Sequence, residues 1–212
     1  MIKEFQEELI VRLSKELPAH NAHQKVMAHR PAFGKKGTVP ENAKQSAVLL
    51  LIYPKSGLLH TVFILRPTYP GVHSAQIGFP GGKVEKSDST LKETALREAD
   101  EELNIKSENV KILGKMSPIY VPPSNFVVNP FIGFQAERPR FIPEKAEVAK
   151  ILECPLMNLL GKDKLISTSV EVKRAPMKVK GYRLDDKIVW GATAMMVREF
   201  AEIMESIKLP NG

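Results

Sequence analysis

The sequence predicts a globular fold of mixed α and β structure. Of its 212 residues, 43% are hydrophobic, which suffices for a full core and excludes a wholly disordered chain. Runs typical of strands alternate with stretches in which apolar residues recur at helical spacing. In a chain of this length, that mixture favours one α/β or α+β domain over two smaller ones.

Helices are expected in three segments. Apolar side chains recur at helical spacing through residues 2–17, and Pro18 ends that pattern. Residues 90–103 and 192–208 show the same periodicity. Residues 18–45 lack a clear period and are predicted as a polar loop. We therefore expect residues 1–45 to form an N-terminal helix and extended loop that pack on a core made by residues 46–212.

Strands are expected between these helices. The predicted strands are residues 47–53, 58–65, 76–79, 110–116, 126–134, 148–153 and 165–172. The first of them, Ala47–Tyr53, is the longest apolar run, far short of the roughly 20 residues that cross a bilayer. No membrane partner is therefore expected.

The cysteine content and the N-terminal residues predict where the protein is found. Cys154 is the single cysteine, so no internal disulfide is possible, and its apolar surroundings indicate a small buried side chain. The first residues alternate charged with apolar side chains, unlike a secretory signal. These features favour a cytoplasmic setting.

Acidic residues are concentrated in one helix of a basic protein. The chain has 31 basic and 24 acidic residues, a net charge of +7 that attracts phosphates. Yet residues 93–102 hold five acids and one cation, Arg97. At about 100° per residue, Glu98, Glu101 and Glu102 fall in one sector and Asp100 points away. Such oxygen ligands beside an apolar face suit Mg²⁺ or Mn²⁺.

This segment resembles the Nudix box, a loop–helix motif of metal-dependent diphosphate hydrolases. The matching residues are Gly82, the run Arg97-Glu98-Ala99-Asp100-Glu101-Glu102-Leu103, and Ile105. This chain departs from the usual pattern of the box at three positions. The first acid is Asp88, which eight rather than seven intervening residues separate from Arg97; Ala99 replaces a larger aliphatic residue; and Asn104 replaces a glycine. Asparagine is the next best residue for a left-handed helix C-cap.

Neighbouring segments resemble one branch of this superfamily, the coenzyme A pyrophosphatases. Residues 73–82, 124–131 and 189–194 are similar to that branch, as is the longer box. The branch usually has a leucine-arginine pair shortly before the histidine of the first segment, where this chain has Pro70 and Gly71.

The resemblance implies a fold and a metal site. The implied fold is a Nudix-type α/β/α sandwich with a mixed sheet between helices. Glu98, Glu101 and Glu102 would bind Mg²⁺ or Mn²⁺ with the Gly82 carbonyl. Glu98 or Glu101 would act as the general base, and Arg97 would orient a glutamate through a bidentate pair. A distal carboxylate often completes such sites.

Three residues are candidates for that distal carboxylate. Glu147 sits where the family often has one, and Glu144 and Glu171 are the alternatives.

Cations and polar residues outside the box are the candidate substrate contacts. Arg66 and Lys83 would meet phosphate oxygens, and the branch resemblance adds His73 and Gln76. The implied substrate is coenzyme A or an acyl-coenzyme A, cut to 3′,5′-ADP and 4′-phosphopantetheine. Another nucleoside diphosphate linked to a group X, such as ADP-ribose or a sugar nucleotide, is the alternative substrate.

A binding module is the alternative from another class. A catalytically silent Nudix-fold protein could bind RNA through residues 173–183, which carry five cations and no acid. Tyr182 is the single aromatic residue in this run, which therefore lacks a series of interleaved stacking rings, so nucleic acid is the less favoured partner. His20, His23 and His29 lack ligand spacing and are predicted to be ordinary loop residues. Monomer and homodimer both remain open.

Overall fold

A computed structural model of the chain describes residues 1–27, 39–71, 73–172 and 175–210. Within these ranges, the α-helices are α1 Ile2–Leu13, α2 Ala19–Met27, α3 Leu91–Leu103 and α4 Gly191–Met204. The strands are β1 Lys44–Lys55, β2 Leu58–Leu65, β3 Ile77–Gly78, β4 Gly81–Lys83, β5 Lys111–Lys115, β6 Ile119–Val121, β7 Phe126–Phe134, β8 Lys150–Pro155, β9 Leu165–Val172, β10 Ala175–Leu184 and β11 Lys187–Val189.

Strand β1 lies at the centre of the molecule and is buried on both faces. Its residues Val48, Leu50 and Ile52 join a hydrophobic cluster with residues of α1, α2 and α4. The alternate residues Ala47, Leu49, Leu51 and Tyr53 join a second cluster with α3. Because successive side chains of a strand point to opposite faces, helices cover both sides of the sheet. The predicted α/β/α sandwich is confirmed.

The main sheet is mixed, as predicted. Its strands follow the order β3-β2-β1-β7-β5, with β4, β6 and β8 pairing with β1, β7 and β2. Strands β1 and β7 are parallel, with Ser46 opposite Val128, and the other pairs are antiparallel. Strands β9, β10 and β11 form a second, antiparallel sheet.

Local signals in the sequence set both ends of α3. The Thr90 hydroxyl accepts a hydrogen bond from the Glu93 backbone N–H at 3.2 Å, which caps the N-terminus. Asn104 ends the helix in the left-handed conformation, with φ 58° and ψ 38°. The expected asparagine C-cap is confirmed, and α3 is held at both ends beside β1.

The N-terminal prediction was wrong in two respects. Helix α1 ends at Leu13 rather than near residue 17, and the predicted loop contains a further helix, α2. Ala22 and Val26 of α2 are buried with the core. Tertiary packing stabilises this short helix, whose nine residues carry too few apolar side chains for a local pattern. His29 lies outside the described residues.

Other predicted elements are present with shifted bounds, and four strands were missed. Helix α4 ends at Met204 rather than at residue 208, and β8 spans Lys150–Pro155. Strands β4, β6, β10 and β11 were not predicted. The basic run falls largely in β10, while its first two members, Lys173 and Arg174, lie outside the described residues. Among the described helices, none has the length and apolarity needed to span a membrane.

Candidate active site

A glycine pair brings the sheet and helix α3 together. Strand β4 pairs with β1, with Gly81 opposite Val48. Gly81 has φ +150°, and a Cβ there would overlap the backbone of Ala47 and Val48, so only glycine fits. Its backbone N–H donates a hydrogen bond of 2.7 Å to Oε2 of Glu102. The turn thereby fixes one carboxylate of α3.

The second glycine makes room for another carboxylate. A Cβ on Gly82 would overlap all three atoms of the Glu98 carboxyl group. The α-carbon of Gly82 therefore forms one wall of the space that this carboxylate occupies.

Three carboxylates meet at this point. Glu98, Glu102 and Glu147 each offer an oxygen, and these oxygens lie within 4.8 Å of one another. Glu98 and Glu102 are 8% and 1% exposed, whereas Glu147 is exposed. The group therefore combines two buried acids from α3 with an accessible one from the loop before β8.

The loop before β8 holds Glu147 in place through backbone hydrogen bonds. The Glu144 N–H donates to the carbonyl of Glu102 at 2.9 Å, and the Val148 N–H donates to the carbonyl of Glu144 at 2.8 Å. The Ala149 N–H donates to the carbonyl of Leu65 at 2.8 Å. The other two candidates for the distal carboxylate, Glu144 and Glu171, are outside the three-carboxylate group.

The electrostatics of the group suit a cation. Burial raises the pKa of Glu102 to about 8, and burial also raises the pKa of Glu98. The buried Oε1 of Glu102 has no hydrogen-bond partner, although Nη2 of Arg66 lies 3.5 Å away. An orphaned oxygen beside two further carboxylates is the donor set that Mg²⁺ and Mn²⁺ favour. The residues present therefore fit a divalent cation.

Arg97 makes a different bidentate pair from the one predicted. Its Nε and Nη2 donate to the two carboxylate oxygens of Asp88 at 2.9 and 3.0 Å. Single contacts reach Glu98 at 3.0 Å and Glu101 at 2.8 Å. The first acid of the box thus anchors the arginine, whose Nη2 also contacts Glu98 and whose Nη1 contacts Glu101. A glutamate was predicted as the bidentate partner because residue spacing along the helix does not show that the loop carrying Asp88 folds back against Arg97.

Glu101 departs from the predicted convergence. Its side chain is 59% exposed and pairs with Arg97 one turn earlier in α3. Glu147 stands in the three-carboxylate group beside Glu98 and Glu102 instead. Helical spacing places Cβ atoms correctly but leaves the direction of a long side chain open. Glu101 is nevertheless linked to Glu98 through their shared arginine.

The four predicted substrate contacts surround one cleft of about 250 Å³. Arg66 donates to the Gly81 carbonyl at 2.9 Å, and Lys83 follows the glycine pair. His73 has φ +69°, and its Nδ1 lies 3.1 Å from Oε1 of Gln76. These residues, together with Gly81 and Gly82, place the cleft directly beside the carboxylates.

The opposite wall of the cleft was not predicted from the sequence. It is formed by apolar and small residues of β1, β6, β7 and α4, among them Val48, Val121, Phe126, Val128 and Met196. Thr193 at the start of α4 donates a hydrogen bond from its hydroxyl to the Ile77 carbonyl at 3.0 Å, which ties this wall to β3. The signal in the sequence that could have indicated this wall is the resemblance of residues 124–131 and 189–194 to the coenzyme A pyrophosphatase branch.

Two further predictions concern residues away from the cleft. Cys154 is 1% exposed in the core, as predicted, and burial raises the pKa of its thiol to about 12. His23 was wrongly predicted to be a loop residue. It is 7% exposed in α2, and its Nε2 lies 3.0 Å from the buried Glu199 carboxylate. His20 is exposed on the same helix and contacts Gln24.

Comparison with known proteins identifies the family. The model of the NUDIX domain matches residues 43–167. A protein of Pectobacterium atrosepticum named "Uncharacterized Nudix hydrolase NudL" is 36% identical over 160 residues, covering 74% of this chain and 81% of the relative. A protein of the same name from Yersinia enterocolitica is 33% identical over 168 residues, covering 78% and 84%. The chain therefore belongs to the NUDIX domain family, and its class is that of the Nudix hydrolases.

Solved structures agree on the fold. The Nudix hydrolase RenU of M. smegmatis superposes with a TM-score of 0.55 at 15% identity, covering 80% of this chain and 91% of that one. A MutT/nudix family protein of Enterococcus faecalis gives 0.53 at 17% identity, covering 89% and 75%. At such identities the similarity concerns the fold alone.

Proposed function

We propose that this Nudix hydrolase cleaves coenzyme A or an acyl-coenzyme A, in a divalent-metal-dependent reaction that yields 3′,5′-ADP and 4′-phosphopantetheine. The broader activity is hydrolysis of a nucleoside diphosphate linked to a group X. The observation that carries the proposal is the group of Glu98, Glu102 and Glu147 at the edge of a cleft rimmed by Arg66 and Lys83.

Carboxylates of α3 and of the loop before β8 would hold Mg²⁺ or Mn²⁺. Glu98, Glu102 and Glu147 are the first candidates, with the Gly82 carbonyl as a further ligand and Glu101 as an accessible acid nearby. When bound, the cation neutralises charge on the diphosphate and makes a bound water more acidic. The orphaned Oε1 of Glu102 supports this assignment.

The protein's own side chains orient the acids and take a proton. Arg97, anchored by Asp88, holds Glu98 and Glu101 through one N–H contact each. Glu98 is the favoured general base because it lies within the three-carboxylate group, and its carboxylate would accept the proton of the attacking water. Glu101, the alternative base, is more exposed and is already paired with Arg97.

Cations on the rim would receive the phosphates. Arg66 lies between the cleft and Glu102, so it can bind a phosphate oxygen while it compensates a buried carboxylate. Lys83 is exposed on the same rim, and its ammonium lies 3.9 Å from Glu85. The contact between His73 and Gln76 orders the loop at the mouth of the cleft.

The positions of the branch-like segments support coenzyme A as the substrate. Residues 73–82, 124–131 and 189–194 are far apart in the chain, yet each contributes to the wall of this one cleft. A shared substrate would explain why these three segments resemble one branch.

One observation favours the alternative substrate class. Pro70 and Gly71 stand where the branch usually has a leucine-arginine pair, so this chain offers no cation at those two positions. ADP-ribose or a sugar nucleotide lacks the 3′-phosphate of coenzyme A and would need fewer cations.

Product analysis distinguishes these possibilities. Purified protein with Mg²⁺ or Mn²⁺ is expected to release 3′,5′-ADP from coenzyme A. Turnover of ADP-ribose but not of coenzyme A would select the alternative substrate. Nucleic-acid binding that weakens with salt, without any hydrolysis, would select the binding module. Glu98→Gln is expected to slow this hydrolysis strongly, because Glu98 belongs to the three-carboxylate group. Asp100→Asn is its matched control, because Asp100 lies on the same helix but pairs with Lys106.

A further inference from the structure

Phe126 and Tyr69 are aromatic side chains of the cleft that have no part in the hydrophobic core clusters. Phe126, the first residue of β7, is partly exposed and lines the cleft. Among the described residues, the two hydrophobic clusters are assembled without it. Burial in the core therefore does not account for a phenyl ring at this position.

The register of the sheet places Phe126 at one end of the apolar wall described above, which we call the apolar floor of the cleft. Alternate residues of a strand share a face, so Phe126 and Val128 of β7 point to the same side as Ser46 and Val48 of the neighbouring β1. All four residues line the cleft. Val121 of β6 is the register partner of Phe126 and continues this floor.

The floor runs away from the proposed metal site. Gly81 pairs with Val48, at the level where the glycine pair contacts the carboxylates, whereas Phe126 pairs with Lys44. Lys44 and Val48 are four positions apart along β1, so these levels are separated by about 13 Å at a rise of about 3.3 Å per residue. A nucleoside diphosphate anchored at the glycine pair could lay its ribose along the floor and its base near Phe126.

We infer that Phe126 is a specificity-determining residue that stacks on the nucleobase of the substrate. The inference rests on the proposed function, since it assigns one end of that substrate to one end of the cleft. Every base has a flat π-face, and an aromatic ring offers it a matching surface. Lys44, whose Nζ lies 5.9 Å from the centre of the Phe126 ring, adds a cation at the same end.

Binding of two small probes tests the inference without any turnover. AMP and ribose 5-phosphate share the sugar phosphate and differ in the base. Calorimetric titration of the full chain in Mg²⁺ is expected to show tighter binding of AMP, by roughly five- to a hundredfold from stacking. Equal affinity of the wild-type protein for the two probes would overturn the inference, whether or not the protein hydrolyses a diphosphate.

Substitutions at Phe126 separate stacking from general apolar contact. Phe126→Leu keeps bulk but loses the ring, so most of the preference for AMP should disappear, whereas Phe126→Trp should keep it. Phe141→Leu is the matched control, because Phe141 packs on Tyr53 and Arg138, outside the cleft. Unchanged AMP affinity in a folded Phe126→Leu protein would contradict stacking.

Catalysis gives an independent readout that separates this inference from the proposed function. If the protein turns over a nucleotide substrate, Phe126→Leu should raise KM and leave kcat nearly unchanged, since the base is remote from the scissile bond. Absence of all hydrolysis would refute the proposed function and leave the comparison of AMP with ribose 5-phosphate decisive for Phe126.

Discussion

The carboxylate of Glu98 lies against the α-carbon of Gly82 and fills the space that any side chain at that position would need. A glycine in strand β4 and an acid on helix α3 are thus fitted to each other across the edge of the sheet. This contact keeps Glu98 beside Glu102 and Glu147.

Gly82→Ala should therefore disrupt the carboxylate group. The added methyl displaces the Glu98 side chain, and Mn²⁺ affinity measured by electron paramagnetic resonance is expected to fall more than tenfold, in the range of about 10- to 100-fold seen when the surroundings of metal ligands are disturbed. Gly78→Ala is the control, since its methyl would meet only the Thr193 hydroxyl at 4.0 Å. Equal Mn²⁺ affinities in the two variants would show that the contact is unimportant.

The ion pair between Asp88, the first acid of the box, and Arg97 is expected to stabilise the fold in a pH-dependent way. Hydrogen bonds from Arg97 hold the pKa of Asp88 well below its usual range. An ionised Asp88 therefore stabilises the fold above the unfolded-state pKa of about 3.9, and this contribution is lost as the pH falls toward the lower folded-state pKa.

Asp88→Asn tests this dependence. At pH 7 the substitution is expected to lower the free energy of unfolding by about 1–3 kcal/mol, measured by urea denaturation. The difference from the wild-type protein should shrink below pH 4. A difference that is the same at pH 7 and pH 3 would argue against the charged pair as the cause.

A buried network is expected to hold α2 on the core. Glu199 of α4 is fully buried and accepts a hydrogen bond of 2.6 Å from the Ser117 hydroxyl, while its other oxygen contacts His23. His23→Ala leaves that oxygen without its partner and should lower the free energy of unfolding by about 1–3 kcal/mol.

Thermal denaturation of His20→Ala provides the comparison for this network. His20 lies on the same helix but is exposed, so its loss should change stability by no more than about 0.5 kcal/mol. Similar melting temperatures for the two alanine variants would contradict a stabilising role for the contact between His23 and Glu199.

The sequence predicted those features that depend on local pattern. The apolar run of β1 and the periodicity of α3 show in a few adjacent residues, and Asn104 ends its helix as expected. The distal acid Glu147 was predicted from resemblance, and it lies with Glu98 and Glu102.

Features that depend on distant partners were missed. Helix α2 is stabilised partly by Glu199, which lies 176 residues from His23 in the chain. The direction of Glu101 depends on which of several acids pairs with Arg97. Phe126 enters the cleft only because β7 lies parallel to β1, a pairing that no local pattern reveals. For α2 and Phe126 the deciding interaction joins distant segments, and for Glu101 it depends on the loop residue Asp88, which competes for Arg97.

The most direct test of the central claim compares diphosphate hydrolysis by the wild-type protein and Glu98→Gln, with Asp100→Asn as control. Coenzyme A and ADP-ribose are each incubated with Mg²⁺, and the products are separated by chromatography. We predict metal-dependent cleavage by the wild-type protein and Asp100→Asn, and a rate about 100- to 10,000-fold lower for folded Glu98→Gln. Cleavage by Glu98→Gln at the wild-type rate, or cleavage that persists after chelation of the metal, would contradict the account.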